Sequence, residues 1–191
     1  SHEFQHMINF YQKPVLRSGG SASETWLNEM SSLMSEDLMS KKLTVNGPRG
    51  VSYSDDTAGG ASNSDSSGRL PKYIYYNDKS FVNWNANYSY SISYALGAYL
   101  LRNFGGASFL KYLVQSQYTG SDAIDDALSK SGYGYDFSNI LQRWGVSVLL
   151  SDSLNNTQYY QYNTGAAFSS TEKKITYEIG SINMYNYTLG G

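Results

Sequence analysis

Apolar residues recur at helical spacing through most of this chain, and the exceptions divide it into segments. His2 to Gln12 predicts a helix carrying Phe4, Met7, Ile8 and Phe10, with Pro14 closing it, because the residue before a proline is pushed out of the helical region. Arg17 to Ser23 is a loop with Gly19-Gly20. A second helix starts near Ser23, whose hydroxyl can cap it, and runs through Trp26, Leu27, Met30, Leu33, Met34 and Leu38. Asn46 to Pro71 offers almost nothing to bury and reads as a long loop. Tyr73 to Trp84 is aromatic and reads as strand or irregular structure. Four helical segments follow, at Ser91–Asn103, Ala107–Gln117, Ser121–Ser129 (with Ser-Asp as its cap) and Phe137–Leu150. Short glycine-containing links join them. Beyond Asp152 the sequence turns rich in Asn and Tyr, and Lys174 to Tyr187 alternates as β structure does.

These elements predict a mainly α chain, α+β overall. Residues 1–152 form the core: 1–45 hold two leading helices, 46–85 a loop region and 86–152 a helical subdomain. Residues 153–191 form a β-rich tail. No internal repeat is visible.

Composition narrows the function. Lys+Arg number 14 against 16 Asp+Glu, a net charge of -2, which leaves no basic footprint for nucleic acid and no polybasic membrane patch. The longest uncharged stretch, Ser80 to Leu101, carries Asn83, Asn85 and Asn87 and is too polar to span a bilayer. There is no cysteine, so neither disulfides nor thiolate chemistry enter. Nineteen tyrosines, with abundant Ser and Asn, suit a secreted or cell-surface bacterial protein. The acidic residues Asp55, Asp56 and Asp65 are oxygen donors of the kind calcium takes, but their spacing matches no calcium loop and a solvated loop accounts for them.

The chemistry sits at the start. His2-Glu3-Phe4-Gln5-His6 places two imidazoles one helical turn apart, on one side of a helix, where they can share a metal ion. They are the only two histidines in the chain. Glu3 projects beside them, suited to take a proton from a metal-activated water and deliver it to a leaving amine. Zinc suits imidazole and carboxylate donors with one position left for water. The second helix offers Glu24, Glu29 and Glu36 as a third ligand; Glu24 and Glu36 read as parts of a solvated face.

Trp26-Leu27-Asn28-Glu29 resembles the segment carrying the glutamate ligand of aminopeptidase N-like gluzincins. The stretch from His2 to Phe10 resembles the hyicolysin family of bacterial neutral metallopeptidases. The resemblance implies that Glu29 is the third ligand of one catalytic zinc, within a zincin-like core. A zincin helix packs against a sheet, and no sheet-forming segment precedes His2, which suggests an excerpt of a longer chain. Ile92 to Ala98, followed by Leu101-Arg102, resembles the aminopeptidase segment whose tyrosine binds the developing oxyanion, which implies that role for Tyr94, with Tyr88 and Tyr90 nearby as substitutes. Two departures stand out. Leu33 lies where the thermolysin pattern has an aspartate supporting the first histidine, and Leu96-Gly97-Ala98 replaces Lys-Gly-Ala. The expected function is a zinc endopeptidase acting on protein or peptide substrates outside a bacterial cell. An aminopeptidase with the same metal site, or a surface binding module on a decayed peptidase fold, are the alternatives.

Overall fold

Seven α-helices and one pair of strands make up the described part of the computed structural model, which covers residues 1–43, 47–48, 68–150, 166–170, 175–179, 182 and 184. Asp55, Asp56 and Asp65, and most of the expected loop after Asn46, lie outside the described residues. The mainly α class predicted from the apolar periodicity is what the chain adopts.

Helix α1 is His2–Phe10, with Glu3 in its first turn, where the positive end of the helix dipole favours a carboxylate. Pro14 does not end the helical path. The chain continues through a π-helical turn, Tyr11–Val15, with Pro14 inside it and the Leu16 N–H donating to the Tyr11 carbonyl five residues back. A proline has no N–H to give and its ring collides with an α-helical carbonyl; the wider π register absorbs both faults. This turn aims Lys13 inward. Its ammonium donates to the carbonyls of Ser116 and Tyr118, and Arg17 donates to that of Gln115. Two cations thus close the C-terminal end of α5 (Ala107–Gln115) and tie α1 to it. Burial pushes the Lys13 pKa down to about 8.

Helix α2 is Thr25–Leu43, longer than its apolar pattern foretold. The Ser23 hydroxyl, expected as its cap, donates instead to Asn9 on α1. Helix α3, Arg69–Tyr76, occupies part of the segment expected to be strand or irregular. Pro71 is tolerated because it stands in the first turn, where no intrahelical partner waits for its missing N–H. Leu70 and Tyr73 are its inward residues.

Helix α4, Ser89–Asn103, is the centre of the molecule and is buried along nearly its whole length. It packs on α2 and α3. A Cβ on Gly97 would stand 2.9 Å from the Cγ atoms of both Met30 and Met34, so only glycine lets α2 and α4 approach this closely. Beside that contact Arg102 pairs with Asp37 at 2.7 Å, both side chains sealed from water. Helices α6 (Ser121–Lys130) and α7 (Phe137–Leu149) complete the layer. Ser121 and Asp122 do not cap α6; Gly120 holds the cap position without a side-chain hydrogen bond. Asp136 and Asn139 form a reciprocal capping box on α7.

The strands β1 (Ala166–Ser170) and β2 (Ile175–Ile179) pair antiparallel, with Phe168 opposite Tyr177. Only the first part of the expected Lys174–Tyr187 strand is seen as such. Ile179, Ile182 and Met184 join the main core. Among the described residues no helix is long and apolar enough to cross a membrane.

Candidate metal centre

The two histidines of α1 face α2 with ring centroids 4.7 Å apart. Opposite them, α2 presents a stripe of polar residues at helical spacing: Asn28, Glu29, Ser32 and Glu36. Ligand atoms of His2, His6 and Glu29 all lie within 4.8 Å of one another. The Glu29 Oε2 atom stands 3.1 Å from His2 Nε2 and 3.5 Å from His6 Nε2. All three side chains are partly buried, so each keeps a path to solvent.

The other edge of each imidazole is held. His2 Nδ1 meets Glu36 Oε1 at 2.6 Å. His6 Nδ1 meets Asn28 Oδ1 at 3.1 Å, with the Ser32 hydroxyl also 3.1 Å away. Asn28 Oδ1 in turn accepts from Asn9 at 2.6 Å, and Asn9 accepts from Ser23. Glu36 and Asn28 offer oxygen acceptors to the Nδ1 edges, which suits the tautomer with its proton on Nδ1. The imidazole Nε2 lone pairs then point toward the Glu29 carboxylate. In that tautomer three electron-pair donors converge on one point. A cation relieves that arrangement, and two nitrogens with one carboxylate oxygen form a donor set that zinc accepts.

Glu3 is exposed and makes no hydrogen bond or ion pair among the described residues, so its carboxylate is available to a reacting molecule. Glu24, expected on a solvated face, accepts a hydrogen bond from the Trp26 indole at 2.6 Å. Glu36, given the same reading, is the partner of His2. A carboxylate seven residues beyond Glu29 lies two turns along the same face, where it replaces the support that Leu33 cannot give. The repeat of Asn28, Ser32 and Glu36 at four-residue intervals on a mostly buried helix was the signal for this row.

The tyrosines divide. Tyr94 lies in the core with no exposed surface, and its hydroxyl is closed to solvent. Tyr90, one turn earlier in α4 and only partly buried, is the tyrosine beside the candidate metal centre, close enough for the Glu29 carboxylate to act on its phenol. Burial, then the negative charge of Glu29, raises the Tyr90 pKa, so the phenol stays protonated and able to donate. Its ring is braced by Trp84, edge to face at 4.8 Å, and by Arg69, whose guanidinium carbon lies 4.8 Å from the ring centre. Tyr88, the other substitute, packs against Tyr76.

The model of the peptidase M30 family matches residues 1–162. No curated protein and no solved structure matches the chain.

Proposed function

The chain belongs to the peptidase M30 family, the hyicolysin family, and from that premise we propose that it is a zinc-dependent endopeptidase of the gluzincin type, acting on proteins or peptides outside a bacterial cell. The observation that carries the zinc reading is the convergence of His2 Nε2, His6 Nε2 and Glu29 Oε2, each imidazole turned by an acceptor on its far edge. The likeness of His2 to Phe10 to bacterial neutral peptidases supports the endopeptidase reading, and the tyrosine- and serine-rich, cysteine-free composition supports export.

His2, His6 and Glu29 would hold the zinc. When bound, that ion supplies a Lewis acid that makes water acidic and polarises a carbonyl oxygen. Glu3, beside His2 and open to the cleft, takes a proton from the attacking water and delivers it to the amide nitrogen as the peptide bond breaks. Tyr90 turns its hydroxyl from Glu29 to the substrate carbonyl oxygen as negative charge gathers there. Glu36, Asn28 and Ser32 fix the imidazole orientations throughout. Tyr90 thereby takes the role that resemblance gave to Tyr94.

Replacing Glu3 by Gln tests the division of labour. The variant should keep its zinc and lose turnover of a protein substrate by roughly 10²–10⁴-fold. Unchanged turnover, or loss of zinc with it, contradicts the assignment.

A further inference from the structure

Glu3, Glu29 and Glu36 make the surroundings of the two histidines acidic, and among the described residues Arg69 brings a cation near them. Arg69 opens α3, a helix packed on α4, and lays its guanidinium over the Tyr90 ring. Tyr90 lies within the electrostatic reach of both Glu29 and Arg69, so Arg69 stands near the proposed metal ligands. A cation–π contact engages a guanidinium without using up its N–H donors. Among the described residues that group makes no ion pair or hydrogen bond. Arg102, by contrast, is fully committed to Asp37 and Ala98. Arg69 is also only partly buried, so its N–H edge can meet a molecule entering the cleft.

We propose that Arg69 is a specificity-determining residue that pairs with a carboxylate of the substrate. That carboxylate is an Asp or Glu side chain near the scissile bond, or the chain's own C-terminus. A planar fork of donors matches a carboxylate with two parallel hydrogen bonds. Held against Tyr90, the fork loses little freedom on pairing. Without such a partner, an acidic peptide would be repelled by the three glutamates. The inference rests on the peptidase reading and adds a substrate class to it.

The test uses the zinc-loaded full-length protein and internally quenched peptides in matched sets. One set differs by Glu against Gln or Lys at single positions around the cleaved bond. The other differs by a free against an amidated C-terminus, which separates the two carboxylate sources. Wild type should favour the carboxylate-bearing member of one set by at least about tenfold in kcat/KM, mainly through KM. Arg69→Gln should abolish the preference, Arg69→Lys should retain part of it, and Arg69→Glu should favour the Lys peptide. Because Arg69 also braces Tyr90, the variants differ in baseline rate, so the ratio between paired peptides is the readout. A wild-type ratio near one, or a ratio unchanged in Arg69→Gln and Arg69→Glu, overturns the proposal. Calorimetric binding of the same pairs to zinc-loaded Glu3→Gln reads the ratio without turnover. Wild type that cleaves no peptide would sink the peptidase reading, while the binding ratio would still decide for or against Arg69.

Discussion

On one side of α2, Asn28, Glu29, Ser32 and Glu36 turn toward the histidines of α1; on the other, Met30 and Met34 press against Gly97 of α4, with Asp37 locked to Arg102. The first face is polar, partly open and joined by directed hydrogen bonds. The second is dry and held by close packing around a single ion pair. Breaking such a buried pair by removing one partner typically costs about 3–5 kcal/mol, because a charge is left stranded. The difference shows how a rigid side supports a reactive one. The helix cannot roll against α4, so Glu29 and Glu36 stay in register with His2 and His6. The same contrast runs along α4, whose start places Tyr90 near Glu29 while Tyr94 is sealed in the core.

The sharpest way to break the comparison is to remove one hydroxyl from each tyrosine. Tyr90→Phe should lower kcat by about 10²–10³-fold with zinc content unchanged, because its donor acts on charge that exists only in the transition state. Tyr94→Phe should leave kcat near wild type and change, at most, thermal stability. If the loss appears in Tyr94→Phe instead, the reactive end of α4 has been placed a turn too early.

A smaller effect is expected from the support beneath His2. Glu36→Gln keeps the shape but weakens the acceptor, and zinc affinity measured by competition with a chelator should fall about 10–100-fold. Glu24→Gln, whose carboxylate accepts from the Trp26 indole and from neither histidine, should leave that affinity alone. Equal affinities in wild type and Glu36→Gln would mean that His2 needs no carboxylate to orient it.

On the packed face, Gly97→Ala forces a methyl into the contact with Met30 and Met34. Overpacking of this kind costs about 1–3 kcal/mol, measurable as a lower denaturation midpoint. An unchanged midpoint would show that the two methionines yield freely and that the dry face is less rigid than its contacts suggest.

How much of this was legible beforehand follows from what a sequence pattern can encode. The grouping of His2 with His6 is legible because helical spacing alone puts them together, and the approach of Glu29 to them because Trp-Leu-Asn-Glu resembles a segment that carries a glutamate ligand. The helices of the α4–α7 layer were legible from apolar periodicity, to within a few residues. Pro14 misled because the wider π register is a local response that propensity does not foresee. Glu36 looked like any exposed helix carboxylate; its role depends on how closely α1 crosses α2. Tyr90 and Tyr94 are four residues apart on one face, so no periodicity can separate them, and only the depth of each along α4 decides which meets the cleft. Apolarity itself misled on α1, where Phe4, Met7 and Phe10 are exposed while Gln5 and Asn9 are the buried residues. None of the described residues covers that apolar face.

The central claim is that His2, His6 and Glu29 together hold a catalytic zinc ion. Elemental analysis of the purified full-length protein, wild type beside Glu29→Gln, tests it most directly. About one zinc per chain is expected in wild type and a sharp loss in the variant, with the fold intact by circular dichroism. Full zinc occupancy in Glu29→Gln, or no zinc in wild type after growth in zinc-supplemented medium, would contradict it.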